Sequence, residues 1–267
     1  MNSNDRYMND FTPPALQSLQ RATDVLFALE GGVEAQTPAQ LAARLGLNRT
    51  TVWRYLVTLA ASGLAREVPG GRFALGPRTL GLAGAYAAQW GRFGTAGGVV
   101  LERLRDATGE TAGLHLREGW ARVPIRQAES HHELRRTYGD LGASVPLHVG
   151  SPSLVILAHL EPQEQDAFLD SRTEFAPPER ERLSGVLAEI RAQGYASSQG
   201  ARVGNTWSIA APVRDPTGQV VGAINITGPE QRFTASTVPG FIDEVVGASR
   251  WLEGQLGAGA ASQARPQ

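Results

Sequence analysis

The chain has 267 residues, of which 42% are hydrophobic, and its formal net charge is −1. This length is typical of two domains, at about 100–200 residues per domain. No apolar run approaches the about 18 residues of a membrane span, and the polar N-terminus lacks the apolar segment of a signal peptide, so a cytoplasmic protein is expected. Cysteine is absent, which excludes disulfides, thiol nucleophiles and thiolate metal sites.

The charge is unevenly distributed along the chain. Residues 37–78 contain six arginines and one acidic residue, a net charge of +5 (6 − 1), so the remainder carries −6 (−1 − 5). A basic segment joined to an acidic remainder is typical of a nucleic-acid-binding module attached to a second domain. All 25 basic residues are arginine, so a lysine Schiff base is excluded.

The first predicted element follows a polar segment, residues 1–13, which we expect to be disordered. Apolar residues then recur at helical spacing from Leu16 to Leu29. Gly31 and Gly32 come directly afterwards and are positioned to end this helix. The pattern predicts an amphipathic helix at the start of the first domain.

Two further helices have the proportions of a helix-turn-helix. Thr37 and Gln40 have the spacing of a capping box, which predicts the start of the first of these helices. Gly46 is positioned to end it, and Asn48 to cap a longer helix that reaches about Ser62. This motif places its second helix in the major groove of DNA.

A β-hairpin is predicted after the third helix. Two short strand patterns flank Pro69-Gly70-Gly71, and proline followed by glycine favours a type II turn, whose second central residue has φ > 0. The hairpin completes a winged helix-turn-helix DNA-binding domain over residues 14–76. Residues 77–92 are predicted to form a linker helix, whose apolar residues make it a natural surface for pairing two chains.

Residues on the outward face of the third helix are the candidate DNA contacts, because that face enters the major groove. The candidates are Arg49, Thr50, Thr51, Trp53 and Arg54 on the helix and Arg66 and Arg72 on the hairpin. The alternative is a surface helix with solvated arginines. The exposed Trp53 and the order of three helices and a hairpin favour DNA binding.

Residues 93–256 have a mixed α/β pattern. Helices are predicted near 95–108, 151–160, 178–192 and 234–255, and strands at 111–116, 121–127, 208–213 and 220–227. The last two strands are joined by Asp215-Pro216-Thr217-Gly218, a good hairpin turn. The tail, 257–267, is expected to be disordered.

Several segments of both domains occur in a characteristic order. They are LQRATDVLFAL, LAARLGLNRTTVWRYLVTLAASGL and GRFALGPRTLGLA in the first domain, and VPLHVGSPSLVILA, IRAQGYA and SIAAPVRDPTGQVVGAINITGP in the second. In this order they resemble the IclR family of bacterial regulators. The resemblance implies a winged helix-turn-helix joined to a GAF-like α+β effector domain. It also implies homodimers or homotetramers that act on palindromic double-stranded DNA operators near metabolic genes.

The chain departs from the family pattern around the implied effector pocket. Ser151-Pro152-Ser153-Leu154 replaces a common Ala-Leu-Gly-Lys, Ser208 replaces a frequent cysteine, and Gly200-Ala201 replaces a frequent Gly-Glu. The loss of the usual lysine predicts a less polar pocket and a partly apolar ligand, such as a branched or aromatic acid.

The candidate effector contacts combine this resemblance with local chemistry. They are His148, Gly150, Ser151, Ser153, Ser208, Asn225 and Thr227. Ser151 and Pro152 suit a helix start, whose free N–H groups could hold a carboxylate. Asn225 and Thr227 alternate along a strand and so share one face. The alternative is ordinary helix capping together with a polar sheet face.

Other candidate chemistry is weaker. His131-His132-Glu133 could bind a metal, but adjacent histidines in a strand point to opposite sides, which favours a solvated loop; no metal or cofactor is predicted. Ser153 has no recognisable base nearby in sequence. A solvated surface is favoured over anion binding for the remaining arginines considered, which are Arg117, Arg126, Arg135 and Arg136.

The sequence is therefore compatible with three alternative functions. The first is a transcriptional regulator controlled by a small-molecule effector, for which a carboxylate is the favoured chemistry. The second is a winged-helix regulator whose second domain only oligomerises. The third is an enzyme fused to a DNA-binding domain, which the missing nucleophile–base pair and cofactor motif oppose, so no catalysis is predicted.

Overall fold

The structure, a computed structural model, describes residues 16–30, 34–139, 141–201 and 203–263. The chain divides into two units, Met1–Trp90 and Gly91–Gln267. Within the described residues, no helix is both long enough and apolar enough to span a bilayer.

The first unit begins with three helices that pack together. Its described elements are α1 (Gln17–Glu30), α2 (Pro38–Leu45), α3 (Arg49–Ala61), β1 (Ala65–Val68), β2 (Arg72–Leu75) and α4 (Arg78–Ala88). Val25, Leu41 and Leu56 are fully buried between the first three helices. The predicted tail and the glycine pair after α1 lie outside the described residues.

Both caps predicted in the helix-turn-helix are present. The Thr37 hydroxyl accepts a hydrogen bond from the Gln40 amide at 3.3 Å, and the Gln40 side chain accepts one from the Thr37 amide at 2.8 Å. Gly46 ends α2 with φ 64°. The Asn48 side chain accepts from the Thr50 amide at 2.8 Å. The turn between α2 and α3 is therefore determined by local sequence.

The wing has the predicted hairpin and one additional β-bridge, between Gln36 and Phe73. Val68 pairs with Arg72, so the loop is Pro69-Gly70-Gly71, with φ 87° at Gly70 and 66° at Gly71. The Gln36 amide donates to the Phe73 carbonyl at 2.8 Å, and the Phe73 amide donates back at 2.7 Å. This bridge was not predicted, because a single residue before a helix cap carries no strand pattern.

The helix α4 lies within the segment predicted as a linker, and none of its residues is buried. Leu80 is 75% exposed and Leu82 is 60% exposed. The two leucines lie two positions apart, so they leave apolar side chains exposed on different sides of the helix.

The second unit is built on one antiparallel sheet. Its elements are α5 (Gly91–Thr108), β3 (Thr111–Glu118), β4 (Ala121–Ala128), β5 (Val145–Pro146), α6 (Ser151–Ala158), α7 (Pro162–Ser171), α8 (Pro177–Gln193), β6 (Ala196–Gln199), β7 (Thr206–Arg214), β8 (Val220–Pro229) and α9 (Val238–Gln263). The strand order is β5-β4-β3-β8-β7-β6. The helices α5 and α9 pack on one face, while α6 packs on the other and α8 packs against α6.

Three elements of this unit were not predicted, and one helix is longer than predicted. The strand β6 reads Ala-Ser-Ser-Gln without apolar alternation, β5 has two residues, and α7 buries only Phe168 and Leu169. The helix α9 continues to Gln263, beyond Gly257, where the sequence suggested a disordered tail. This last segment is rich in alanine, the residue with the highest helix propensity.

We expect Thr37→Ala to lower the free energy of unfolding of the first unit by about 1 kcal/mol, because the first-turn amide of α2 loses its side-chain acceptor. Hydrogen exchange of the backbone amides of α2 and α3 in the full chain, at increasing denaturant concentration, measures this change. Thr37→Ser keeps the acceptor and serves as the control. Equal stability of the alanine and wild-type proteins would contradict a stabilising cap.

Candidate functional site

The outer face of α3 is exposed as the sequence predicted. Val52, Leu56 and Leu59 point into the core. Arg49, Thr50, Trp53 and Arg54 are exposed and Thr51 is partly buried. Trp53 is 51% exposed, although tryptophan usually buries most of its surface. Its position beside Arg54 leaves an aromatic ring and a guanidinium on one accessible helix face.

The arginines of the wing extend this basic surface. Arg66 and Arg72 are both exposed on the hairpin. Among the described residues, no carboxylate forms an ion pair with either of them or with Arg49 or Arg54. Guanidinium groups in this state suit contacts with phosphate oxygens.

A cavity of about 220 Å³ lies on the α6 face of the sheet in the second unit, and we call it the sheet cavity. It is lined by Arg122, Arg136, Thr137, Tyr138, Gly139, Gly150, Ser151, Pro152, Ser198, Ala201, Val203, Thr206, Ser208 and Thr227. Most of these residues are polar, which matches a site for a small hydrogen-bonding molecule.

The predicted effector contacts divide into three groups. Gly150, Ser151, Ser208 and Thr227 line the sheet cavity. Ser153 and Asn225 are fully buried behind its wall. His148 lies elsewhere, in a second cavity of about 220 Å³ lined by His148, Leu154, Phe175, Glu179, Arg182, Leu183 and Val186. His148 and Leu154 thus line the second cavity, whereas Gly150, Ser151 and Pro152 between them line the sheet cavity.

The position of Leu154 does not agree with the effect on pocket polarity that was expected from the sequence. Leu154 replaces the family's usual lysine, but it lines the second cavity and not the sheet cavity. The expectation that this replacement makes the effector pocket less polar is therefore not supported. Ser153 and Leu154 point in different directions from α6: Ser153 contacts Arg122 beside the sheet cavity, and Leu154 lines the second cavity.

The first turn of α6 does not offer the free N–H groups that the sequence suggested. The Ser151 amide donates to the Ser198 hydroxyl at 2.9 Å. Pro152 has no N–H, and the Ser153 amide donates to the Gly150 carbonyl at 3.1 Å. A ligand carboxylate would find these donors already engaged, so other groups must balance its charge.

Arg122 on β4 lines the sheet cavity but was not among the contacts predicted from the sequence. It is only 1% exposed, and its guanidinium lies at the cavity wall. Its Nε donates to the Ser153 hydroxyl at 2.8 Å, and its Nη1 lies 2.9 Å from His115 Nδ1. The available signal was an arginine at an alternating, otherwise apolar strand position. Burial of its side chain could not be read from that pattern.

His115 transmits this interaction to Asn225. A guanidinium can only donate, so Nδ1 of His115 accepts and the proton is on Nε2. His115 Nε2 then donates to Asn225 Oδ1 at 2.8 Å. The Asn225 amide donates to the hydroxyls of Ser208 and Tyr138, each at 2.8 Å. Asn225 therefore positions two residues that line the sheet cavity.

The close packing of this network depends on Gly113. Gly113 pairs with Asn225 across β3 and β8. A Cβ at this position would lie 2.7 Å from Asn225 Oδ1 and 2.8 Å from the Tyr138 ring. Glycine is thus required here because the polar side chains occupy the space that any other residue would fill.

The segment 129–139 covers one side of the sheet cavity and is held by hydrogen bonds. The Tyr138 amide donates to the Gln127 side chain at 2.7 Å. Arg232 donates to the Leu134 carbonyl at 3.0 Å and pairs through Nη2 with the buried Glu110 at 2.7 Å. The Glu110 carboxylate raises the pKa of Arg232. These contacts place Tyr138 at the cavity wall.

The remaining candidates of the sequence have other surroundings. Arg117 pairs with Glu164 at 2.5 Å and Arg135 with Glu129 at 3.3 Å, whereas Arg136 lines the sheet cavity. His131 lies 3.7 Å from Asp106. Among the described residues, no group of three or more potential metal ligands comes together.

His148 is packed among aromatic rings. Its ring centroid lies 5.1 Å from that of Phe175 and 6.3 Å from that of Phe168. Burial, and to a smaller extent the Arg172 guanidinium, lowers the pKa of His148, while Glu174 acts in the opposite direction. The folded state therefore favours neutral His148.

Comparison with known proteins gives a consistent picture for the whole chain. The family descriptions "IclR helix-turn-helix domain" and "Bacterial transcriptional regulator IclR C-terminal" match residues 18–69 and 95–252. The transcriptional regulator BhcR of Paracoccus denitrificans is 31% identical over 89% of this chain and 86% of its own length. The glycerol operon regulatory protein of Streptomyces coelicolor is 32% identical over 91% of this chain and 98% of its own.

Solved structures agree in fold. IclR of Thermotoga maritima superimposes with a TM-score of 0.72 at 20% identity, covering 91% of this chain and all of that one. An IclR homologue of Microbacterium hydrocarbonoxydans in complex with 4-hydroxybenzoate gives a TM-score of 0.68 at 25% identity, covering 90% and 99%.

The state of His148 predicts a pH dependence of stability. The unfolded chain binds a proton on this histidine as the pH falls through about 6.5, before the folded chain does, so its contribution is present above that pH and lost below it. We expect His148→Phe to reduce the loss of unfolding free energy between neutral and mildly acidic pH. His159, whose pKa burial also lowers, maintains part of the dependence.

Denaturation midpoints across this pH range measure the effect. Phe175→Leu is the control, because it alters the same aromatic packing without removing a titratable group. An unchanged dependence in His148→Phe would mean that this histidine titrates equally in both states.

Proposed function

The chain belongs to the IclR family of bacterial transcriptional regulators, and on this premise we propose that it binds a pseudo-palindromic operator as a dimer under the control of a small carboxylic acid. The observation that carries the proposal is the presence of an exposed basic recognition helix in one unit and of a cavity lined mostly by polar residues in the other. Its place of action is the cytoplasm, the compartment that holds bacterial DNA.

The surface of α3 and the wing supports specific DNA binding. Arg54 and Thr50 carry groups that reach base edges or phosphates when the outer face of α3 enters the major groove. Arg66 and Arg72 extend the basic surface to neighbouring phosphates. The chain as a whole is nearly neutral, but these arginines give the first unit a positive surface. DNA phosphates are therefore attracted to this surface and not to the rest of the protein.

We expect Arg54→Ala to weaken operator binding by about 1–3 kcal/mol if this guanidinium reads a base. Affinity of the wild type should also fall steeply with salt, because phosphate neutralisation releases counterions. Fluorescence anisotropy on a duplex selected from random DNA measures both effects.

Arg250→Ala is the matched control, since it removes an exposed arginine from the second unit. It should leave operator affinity unchanged. Failure to select any sequence, or binding that does not respond to salt, would contradict the proposed DNA contact.

Dimerisation is proposed because one helix-turn-helix makes too few contacts for a long specific site. Leu80 and Leu82 of α4 are both exposed, on different sides of the helix, and each supplies apolar area for pairing two chains. Burial of a leucine side chain stabilises an interface by about 1.5–3 kcal/mol. The family resemblance also implies tetramers, and sedimentation velocity distinguishes these from dimers.

We expect the double variant Leu80→Gln and Leu82→Gln to shift sedimentation velocity profiles from dimer toward monomer, with a dissociation constant raised about tenfold or more. Leu134→Gln is the control, because this leucine is equally exposed on the second unit. A wild-type chain that is monomeric at micromolar concentration would contradict the dimer.

The sheet cavity is the proposed effector site. It is framed by Ser208, Thr227 and the α6 turn, and it contains polar groups with defined hydrogen bonds. The Microbacterium relative holds a hydroxylated aromatic acid, which supports a small carboxylic acid as the ligand class here. An effector controls DNA binding only as far as it prefers one conformational state over another.

We expect at least one small acid, tested by thermal shift and calorimetry, to bind the wild type and to bind Asn225→Leu about 10–100-fold more weakly. The leucine removes the donors that hold Ser208 and Tyr138, and hydrogen bonds of this kind each contribute about 1 kcal/mol. Val186→Ala, in the second cavity, is the control.

Equal affinity of the Asn225→Leu and wild-type proteins would place the effector elsewhere. If no small molecule binds the wild type, the alternative function becomes the better one, in which the second unit only assembles the oligomer. Binding without turnover is expected in either case.

A further inference from the structure

We propose that the hydroxyl groups of Ser151 and Ser198, which we call the serine pair, bind an uncharged oxygen of the effector. The ligand class is then a carboxylic acid that carries an additional keto or hydroxyl oxygen. This inference rests on the proposed effector function and names the ligand class of that site. Ser151 begins α6 and Ser198 lies on β6, and both line the sheet cavity. The Ser151 amide donates to Ser198 Oγ at 2.9 Å, so the two residues are neighbours.

The Ser151 hydroxyl indicates a ligand because it lacks an internal partner. Ser151 is 0% exposed, and its hydroxyl oxygen has no hydrogen-bond partner among the described residues. A buried hydroxyl without a partner is costly, and native proteins rarely retain one. The family's usual residue at this position is alanine, so the hydroxyl is not needed to begin the helix. A ligand oxygen in the sheet cavity supplies the missing partner.

Hydroxyl groups form a row across the sheet beside Ser151. Ser198 on β6 lies opposite Ser208 on β7, which in turn lies opposite Thr227 on β8. Residues directly opposite on neighbouring strands project from the same face of the sheet. All three line the sheet cavity, and α6 packs on these strands and brings Ser151 to the same cavity. One helix and three strands thus supply neutral hydroxyl groups to one wall.

Several hydroxyls of the cavity wall have already used their proton. Thr206, Ser208 and Thr227 each donate to a backbone carbonyl. Ser198 accepts from the Ser151 amide and, within the part of the chain that the structure describes, donates to no acceptor. The serine pair therefore consists of two adjacent donors whose protons are available to a ligand oxygen.

Two neutral donors suit an uncharged acceptor. A keto or hydroxyl oxygen has two lone pairs, accepts two hydrogen bonds and requires no opposite charge. A carboxylate buried against the same hydroxyls would lose hydration without gaining an ionic partner from them, which is costly. The carboxylate of the acid therefore occupies another part of the sheet cavity. An acid without the second oxygen is rejected, because it leaves the buried hydroxyl of Ser151 unpaired.

The test compares oxygenated acids with their deoxygenated partners on the full chain. Pyruvate and lactate are compared with propionate, and 4-hydroxybenzoate is compared with benzoate, by calorimetry and thermal shift. We expect at least one oxygenated acid to bind the wild type about tenfold or more tightly than its deoxygenated partner. Pyruvate against lactate separates a keto oxygen from a hydroxyl oxygen.

Variants of the serine pair connect this preference to its residues. Ser151→Ala should bind the oxygenated acid about tenfold more weakly and the deoxygenated partner as tightly as the wild type does. Its unliganded thermal midpoint should equal or exceed that of the wild type, because no internal hydrogen bond is removed. Ser198→Ala should weaken the same acid about threefold or more. Ser197→Ala is the matched control, since Ser197 is the exposed neighbour on the opposite face of β6.

The outcomes distinguish this inference from the proposed function. Equal weakening of both members of a pair by Ser151→Ala would mean that the serine contacts the shared carboxylate. Unchanged affinity of this variant would mean that water satisfies the hydroxyl. Either result, or equal wild-type affinity for both members of every pair, overturns the inference but leaves the effector site, provided Asn225→Leu still weakens binding. Failure of every oxygenated acid overturns the inference as well, and failure of the wider panel of small acids overturns the effector function itself.

Discussion

A buried guanidinium can donate hydrogen bonds but never accept one, and the polar interior of the second unit is ordered by that asymmetry. Arg122 requires His115 to accept at Nδ1, so His115 donates from Nε2 to the Asn225 oxygen. The Asn225 amide is then oriented with its NH₂ group toward the hydroxyls of Ser208 and Tyr138. One charge on β4 thereby sets donor and acceptor directions across β3, β8 and β7, and the cavity wall has a defined polarity.

The turn that begins α6 separates two environments. Gly150 has φ 80° and ψ 162°, a conformation essentially limited to glycine, and it is the N-cap of the helix. On one side the turn contributes Ser151 to the polar sheet cavity, and on the other Leu154 and His148 line a cavity with aromatic neighbours. Because this backbone conformation is restricted, residues adjacent in sequence have separate roles: one set contacts a polar site and the other packs in a largely apolar one.

The two units divide their charges and their surfaces differently. The first concentrates arginines on α3 and the wing and leaves the leucines of α4 exposed. In the second, Arg122 is buried at the wall of the sheet cavity and donates hydrogen bonds to Ser153 and His115. Exposed guanidiniums suit a polyanion that brings many phosphates, while a buried one must be held by a defined set of hydrogen-bond acceptors. The same residue type is thus exposed on the surface of one unit and part of a buried hydrogen-bond network in the other.

Local chemistry in the sequence was sufficient for the helix-turn-helix, because the Thr37 capping box, the Asn48 cap and the glycines of the wing act on residues only a few positions away. The main strands and helices of the second unit also followed from periodicity, whereas β6 and α7 lacked a strong pattern. The candidate site was only partly predictable. Ser208 and Thr227 reach the cavity as expected, but the importance of Arg122 depends on contacts with residues distant in sequence. Only the tertiary structure decides such contacts, since burial of a side chain depends on which strands and helices the fold brings together.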